Sequence, residues 1–261
     1  MRRAIQDYDM IQEGDVIAVG VSGGKDSLLL FEALWRLQHF FPRSFRLVPI
    51  YVDMGFAAYY QVIGQSLPVA SGASIDDLKA YFEQKGTPLV VVPTQMAQIL
   101  FDVRTGKDAC SLCSKMRRGA LCSTAVELGC NKLALGHHAD DVLETMLLSF
   151  LYEGRLSTFE PVCLMERTGV TVIRPLVYLY ESTVSNAGSA LHLPVVHNPC
   201  PADHHTCREQ MKDLVRYIQS KVPIAKDRMV AALENPERNH LWKEKTAWTR
   251  TPSPHKSPEG E

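Results

Sequence analysis

The sequence has no long hydrophobic run and no excess of either charge. Its 261 residues carry 28 Lys and Arg against 29 Asp and Glu, for a net charge of -1. No apolar stretch approaches the roughly 20 residues that a membrane-spanning helix requires. The balanced charge argues against a uniformly basic coat for nucleic acid, although local basic clusters could still carry RNA. Residues 1–15 turn acidic before an apolar core could form, so we expect no signal peptide, no membrane association and a cytoplasmic location.

The chain also lacks the even set of cysteines that is typical of a small disulfide-bonded secreted protein. It has seven cysteines, at positions 110, 113, 122, 130, 163, 200 and 207. An odd number in a chain of this length argues against a disulfide framework and favours metal or redox use. Cys110 and Cys113 have the CxxC spacing, whereas we expect Cys122, Cys130 and Cys163 to be small buried hydrophobes.

Short β-rich runs alternate with longer stretches of helical period. We predict strands over residues 15–21, 46–53, 88–93, 131–136 and 170–176. We predict helices over residues 27–40, 75–86, 115–129, 140–154, 178–194, 207–222 and 223–235. This alternation indicates an α/β fold with an open parallel sheet covered by helices on both faces.

Polar loops follow three of the predicted strands, and ligands of parallel sheets collect at such strand ends. They are SGGKDS at 22–27, Asp53, and GHHADDVLET at 136–145. The first is not a P-loop, because Val19 stands where that pattern needs glycine and Asp26 where it needs a hydroxyl. An amide-rich loop that opens a helix still binds anions, and the acids of the third loop, expected on exposed opening turns, could hold Mg²⁺ against phosphate.

The SGGKDS loop resembles the SGGxDS signature of the PP-loop ATP pyrophosphatases. The resemblance implies the adenine nucleotide alpha hydrolase-like fold and cleavage of ATP between its α and β phosphates. The loop residues Ser22, Gly23, Gly24 and Ser27 would cradle pyrophosphate, with Lys25 offsetting its charge and Asp26 helping to place Mg²⁺. The other expected nucleotide-site residues are Asp53, Gly136, His137, Asp141 and Arg174, of which Lys25, Asp26, Asp141 and Arg174 are the expected catalytic set. An ordinary salt bridge is the alternative for Arg174, and a helix cap is the alternative for one of His137 and His138.

A longer series of motifs resembles the tRNA 2-thiocytidine synthetases over roughly residues 14 to 220. It comprises Cys110 and Cys113, the basic 117–119 segment, GHHADD, the RPL segment that begins at Arg174, and Cys200 after a proline. The resemblance implies a [4Fe-4S] cluster held by Cys110, Cys113 and Cys200 with one iron open to deliver sulfur. Cys207 is the reserve ligand. The alternatives are a redox pair at Cys110 and Cys113, or a zinc site completed by Cys207, His204 or His205.

The resemblance therefore implies an ATP-dependent tRNA thiolase. The C2 oxygen of a cytidine in a single-stranded tRNA loop would be adenylated and then replaced by sulfur, with a donor such as a cysteine desulfurase and with a homodimer as one option. Domain boundaries are expected at 1–222 for the PP-loop domain with its cysteines, 223–248 for a helical extension and 249–261 for a disordered tail. The expected phosphate contacts for RNA are Arg2, Arg3, Lys115, Arg117, Arg118, Lys212 and Arg216.

Two other functions stay open on the sequence. One is an amine-adding ligase like the tRNA lysidine synthetases, which share GHHxDDxxET but need no thiolate cluster. The other is a non-catalytic sulfur-relay or zinc-binding protein, which would release no pyrophosphate.

Overall fold

The computed structural model describes residues 1–66, 68, 72–103, 109–201 and 207–239. The predicted tail at 249–261, residues 240–248 of the predicted extension, and both His204 and His205 lie outside the described residues. The domain boundaries stay a prediction.

A six-stranded sheet with the order β3-β2-β1-β4-β6-β5 forms the centre of the fold. The strands are β1 Asp15–Val21, β2 Phe45–Asp53, β3 Val90–Pro93, β4 Lys132–Ala134, β5 Val162–Met165 and β6 Val170–Ile173. All neighbouring pairs are parallel except β5 with β6. The predicted open parallel sheet is thus confirmed, with one antiparallel strand added at its edge.

Helices flank the strands in the order that the sequence pattern predicts. They are α1 Arg2–Asp7, α2 Lys25–Leu37, α3 Phe56–Val62, α4 Ile75–Gln84, α5 Met96–Gln98, α6 Ala109–Glu127, α7 Ala139–Glu153, α8 Glu181–Ala190, α9 Cys207–Lys221 and α10 Ala225–Glu234. A π-helical turn covers Ile99–Val103 and a 3₁₀ turn covers Pro236–Arg238. The two terminal helices on either side of Pro223 are confirmed.

Successive residues of β1 point to opposite faces of the sheet and enter different cores. Ile17 and Val19 pack in one cluster with residues of α1, α2 and α4. Ala18 packs in a second cluster with residues of α3, α5 and α6. Because both faces are covered, β1 is apolar almost throughout, as the sequence pattern predicts.

A third cluster attaches the C-terminal helices to the rest of the fold. Met211 and Val215 of α9 are buried against Leu143, Met146 and Leu147 of α7, and side chains of α10 pack around them. Within the described part of the chain, no helix is long and apolar enough to cross a membrane. The cytoplasmic location stays a prediction.

The structure has several elements that the sequence pattern did not predict. They are α1, α3, α5 and β5, and α6 begins at Ala109, six residues before its predicted start at Lys115. The stretch before Lys115 is rich in Ser and Cys, which are poor helix formers, so local propensity conceals the start of the helix. Because α6 begins at Ala109, both cysteines of CSLC lie within this helix.

Candidate active site

The loop at 22–27 joins β1 to α2 and is closed by its own hydrogen bonds. The Ser22 N–H donates to Ser27 Oγ at 3.1 Å, the Gly24 N–H donates to Ser22 Oγ at 3.3 Å, and Ser27 Oγ donates to the Gly24 carbonyl at 2.9 Å. Gly23 has φ +83°, a left-handed conformation that side chains rarely adopt. The two serines and Gly23 therefore set the shape of a loop that opens the N-terminus of α2, where anions are favoured.

Lys25 and Asp26 stand at the start of α2 and form an ion pair. Lys25 Nζ lies 2.9 Å from Asp26 Oδ1 and 3.5 Å from Glu181 Oε1 at the start of α8. Partial burial alone would lower the pKa of Lys25, but the hydrogen bonds and negative charges of Asp26 and Glu181 together raise it. Lys25 is thus a charged lysine held between two carboxylates at the loop.

The loop that follows β4 is in contact with the 22–27 loop. A Cβ atom on Gly136 would lie 3.0 Å from the Asp26 carbonyl carbon and 3.1 Å from the Ser27 nitrogen. These two loops follow β1 and β4, the central strands at which the strand order reverses. Such a switch point is where open α/β sheets bind ligands.

His138 caps the N-terminus of α7 and positions Asp141. Its Nδ1 accepts from the Asp141 N–H at 3.4 Å, and the His138 N–H donates to Asp141 Oδ2 at 2.9 Å. The predicted capping role is therefore confirmed for one of the two histidines. The other oxygen, Asp141 Oδ1, lies 3.6 Å from Arg208 Nη1, and the Asp141 side chain keeps 18% exposure.

The other two acids of GHHADDVLET are buried, whereas the sequence analysis expected them on exposed turns. Asp140 accepts from Lys226 Nζ at 2.5 Å and from the Glu181 N–H at 2.7 Å, so it links α7 to α8 and α10. Glu144 is buried one turn further along α7. Burial and the negative charges of Asp141 and Asp140 raise the pKa of Glu144 to about 7. The positive charges of Arg208 and Lys212 act in the opposite direction but are outweighed.

Arg174 and His137 form a buried pair beside the loops. Arg174 Nε donates to His137 Nδ1 at 3.2 Å, its Nη1 donates to the Glu160 carbonyl, and its guanidinium lies over the Phe159 ring. Burial lowers the pKa of Arg174 to about 10 and that of His137 to about 3, so at neutral pH the arginine is charged and the imidazole is neutral. The catalytic role of Arg174 stays a prediction, because its contacts are also those of a structural residue.

Asp53 lies where its position in the sequence predicts, at the carboxyl end of β2. Its side chain accepts from the Gly55 N–H at 2.9 Å and is exposed. Since β2 neighbours β1 in the sheet, Asp53 lies at the same edge as the 22–27 loop.

The segment that leads to Cys200 is bound to the 22–27 loop. The Val196 N–H donates to the Gly23 carbonyl at 3.0 Å, and a Cβ atom on Gly23 would lie 3.0 Å from Val196 Cβ. Further along, Tyr60 Oη donates to the Pro199 carbonyl at 3.2 Å. Cys200 is therefore four residues from a direct backbone contact with the loop.

The three predicted cluster ligands come from two parts of the chain. Cys110 and Cys113 lie one turn apart near the start of α6, the first exposed and the second partly buried. Cys113 and Cys200 both pack against the apolar cluster beneath α6. Arg117 Nη2 donates to Cys113 Sγ at 4.0 Å.

The described residues do not include three His, Cys, Asp or Glu side chains close enough together to hold a metal ion. Cys207 is exposed at the start of α9. The ligand assignment therefore stays a prediction.

The remaining cysteines follow the sequence analysis in two of three cases. Cys122 and Cys130 are buried, and burial raises the pKa of each thiol. Cys163 is only partly buried. The expectation for Cys163 was wrong because it lies on β5, the antiparallel edge strand that the sequence analysis missed.

Three residues at the site carry no motif and were not predicted as part of it. Glu181 accepts from both Lys25 and Lys212, the latter at 2.9 Å. Arg208 contacts Asp141 and donates to Thr145 Oγ1 at 2.8 Å. The only sequence signal among these residues is the spacing of Arg208 and Lys212, which predicts that both lie on one face of α9.

The fold and the paired loops define a class of nucleotide-binding protein. A family model described as PP-loop domain matches residues 1–216, and the chain belongs to this family. Within it, the chain groups with proteins named tRNA-cytidine(32) 2-sulfurtransferase. That of Syntrophotalea carbinolica is 38% identical over 92% of this chain and 88% of its own length. That of Pelobacter propionicus is 38% identical over 92% of this chain and 85% of its own length.

A solved structure supports the fold. The U34-tRNA thiolase NcsA from Methanococcus maripaludis, determined with its [4Fe-4S] cluster, has a TM-score of 0.72 to this chain and 24% sequence identity. The match covers 93% of this chain and 80% of the archaeal one.

Proposed function

We propose that this protein is an ATP-dependent tRNA sulfurtransferase that replaces the C2 oxygen of a cytidine by sulfur. Relatives of that name are 38% identical over 92% of the chain, which supports the enzyme class and the tRNA substrate. Their names specify cytidine 32, and we propose the same nucleotide here. The lysidine-type ligase is less well supported, because the cysteines of α6 and the 195–200 segment have no part in amine addition.

One structural observation carries the proposal. The Val196 N–H to Gly23 carbonyl bond fastens the chain just before Cys200 to the loop that would bind ATP. The Pro199 carbonyl is held in turn by Tyr60, which follows the strand that ends in Asp53. A thiolase needs this proximity, because the activated base must meet sulfur before water reaches it.

In the first step the C2 oxygen of cytidine attacks the α phosphorus of ATP. The bond between that phosphorus and the oxygen bridging to the β phosphorus breaks, and pyrophosphate leaves with the electron pair. The amides of the 22–27 loop and the Lys25 ammonium face the charge that develops on pyrophosphate. Asp26 and Asp141 supply carboxylate oxygens, the ligand type that Mg²⁺ takes.

In the second step a sulfur nucleophile attacks C2, the bond from C2 to oxygen breaks, and AMP leaves. AMP is a better leaving group than the original oxygen, so activation has to come first. When bound, a [4Fe-4S] cluster would supply an open iron that holds the sulfur to be transferred. The buried Arg174 and neutral His137 would form one wall of the site and exclude water.

The donor set suits such a cluster. Cys110 and Cys113 present two thiols from adjacent turns of one helix. Cys200, from another segment, packs against the same group of apolar side chains as Cys113. Thiolates favour iron-sulfur clusters and zinc alike, so the metal has to be identified by analysis. The archaeal thiolase of similar fold contains a [4Fe-4S] cluster, and we extend that cofactor to this chain.

Nucleoside mass spectrometry of tRNA from a deletion strain tests the function. We expect 2-thiocytidine to disappear and to return when the gene is restored. Protein purified without air should be brown and contain iron and sulfide. A colourless, iron-free protein that still releases pyrophosphate would favour the amine-adding ligase, and unchanged 2-thiocytidine without pyrophosphate release would favour the relay protein.

A further inference from the structure

Two cations of α9 lie over the acids of the candidate ATP site. Arg208 bonds to Thr145 Oγ1 at 2.8 Å and lies 3.6 Å from Asp141 Oδ1. One turn later, Lys212 Nζ lies 2.9 Å from Glu181 Oε1. They share one face of α9, which is directed at the first turns of α7 and α8.

Lys212 converges with the loop lysine on a single carboxylate. Glu181 Oε1 lies 2.9 Å from Lys212 Nζ and 3.5 Å from Lys25 Nζ. One carboxylate therefore pairs with a lysine of the loop and with a lysine of α9. Asp141, a candidate Mg²⁺ ligand, likewise pairs with Arg208 of α9. Lys25, Arg208 and Lys212 thus each pair with one or two of the carboxylates of Asp26, Asp141 and Glu181.

Apolar side chains attach α9 to the fold. Met211 and Val215 of the same helix are buried against Leu143 and Leu147 of α7, which supplies the packing. Arg208 keeps 46% exposure and Lys212 keeps 25%, so both side chains have room to turn toward a ligand. Both side chains can therefore exchange a carboxylate partner for a phosphate.

We propose that Arg208 and Lys212 form a phosphate clamp that closes on the β and γ phosphates of ATP bound in the 22–27 loop. The inference rests on the proposed function. If Mg²⁺ takes an oxygen of Asp141, the ion pair of that carboxylate with Arg208 weakens and the guanidinium is released to a phosphate. A guanidinium binds phosphate through two parallel hydrogen bonds, and an ammonium binds it as a point charge. Lys212, expected from the sequence to contact RNA, is thereby reassigned to the nucleotide.

The clamp also connects the two halves of the reaction. α9 begins at Cys207, seven residues after Cys200, and its second residue is Arg208. A cation drawn toward the ATP phosphates would draw the start of α9 toward the site. Arg208 is therefore close in the chain to Cys200, whereas a cation near the end of α9 is not.

Comparison of ATP with AMP binding tests the clamp, because AMP lacks the β and γ phosphates. With Mg²⁺ present, we expect Arg208→Ala and Lys212→Ala each to weaken binding of non-hydrolysable ATP by about tenfold or more while AMP binding stays within about twofold. Arg208→Lys and Lys212→Arg should restore part of the loss. Lys221→Ala, which removes an exposed cation from the last turn of α9, is the matched control and should change neither affinity.

Three results would overturn the clamp. Equal loss of ATP and AMP binding, or a large fall in melting temperature, would make the two residues structural. Unchanged ATP affinity with weaker tRNA binding and a smaller salt dependence would make them RNA contacts. Wild-type protein that binds no ATP would remove the proposed function as well, whereas normal wild-type binding with unaffected variants would remove the clamp alone.

Discussion

The 22–27 loop and the segment before Cys200 meet at Gly23, yet the nucleotide loops and the cysteines are held in different ways. The 22–27 loop is closed by hydrogen bonds of its own backbone and serines, and the turn after Gly136 is closed by His138 and Asp141. The two loops touch at Gly136. Cys113 and Cys200 pack against one apolar cluster, and the described residues contain no three metal-ligating side chains close enough together to hold a metal ion.

This difference follows from what each site is made of. An anion site consists of backbone amides and a helix N-terminus, so folding the strand and helix also builds the site. A cluster site consists of thiols from distant segments, and thiols attract one another little until a metal binds them. The nucleotide site should therefore be present in metal-free protein, and the cysteine site should be completed by its cofactor.

The largest expected effect separates the two sites at Cys200. We expect Cys200→Ala to lose bound iron and 2-thiocytidine formation, while ATP affinity stays within about twofold because the Val196 to Gly23 bond is unchanged. Iron and sulfide analysis and ATP titration measure the two effects. Cys207→Ala is the matched control, and the assignment of Cys200 is wrong if Cys207→Ala loses the iron instead.

The converse change removes the charge of the nucleotide loop. We expect Lys25→Ala to lower the rate of pyrophosphate release by about 10² to 10³ fold, because the ammonium faces the charge that develops on the leaving group. Iron content should be unchanged. Lys79→Ala, an exposed α4 lysine paired with Asp76, is the control. A Lys25→Ala protein that also loses its iron would show that the two sites do not form independently.

A smaller effect concerns stability and pH at Glu144. Its pKa of about 7 in the folded protein exceeds the ordinary 4.5, so the folded state retains a proton that the unfolded state releases. Stability therefore falls as pH rises from about 4.5 to 7, and the penalty is fully present above pH 7.

We expect Glu144→Gln to raise the free energy of unfolding by about 1 to 3 kcal/mol at pH 8 and by little at pH 4.5. Urea unfolding at the two pH values measures the difference. Glu83→Gln, an exposed change on α4, is the matched control. Equal effects of Glu144→Gln at both pH values would mean that folding does not raise the pKa of this carboxyl.

Much of the nucleotide site could be predicted because a parallel sheet brings strand ends together. The pattern of apolar runs places the 22–27 loop, Asp53 and Gly136 at one edge, and the structure has them there. The contacts of Glu181, Arg208 and Lys212 could not be predicted, since they depend on how α8 and α9 pack. Burial of Asp140 and Glu144 was missed for the same reason, because α9 and α10 cover the turn of α7 that would otherwise be exposed.

The smallest expected effect comes from disturbing the contact between the two loops at Gly136. A Cβ atom there would meet the backbone of Asp26 at 3.0 Å, and backbone cannot turn aside as a flexible side chain can. We expect Gly136→Ala to weaken ATP binding by about tenfold, as the loops separate, and to leave iron content unchanged. Gly119→Ala on α6 adds the same methyl group where no atom lies within 4 Å, and should stabilise the protein by about 0.5 to 1 kcal/mol through helix propensity alone. If Gly136→Ala binds ATP as well as the wild type, the two loops do not need to touch for the nucleotide site to form.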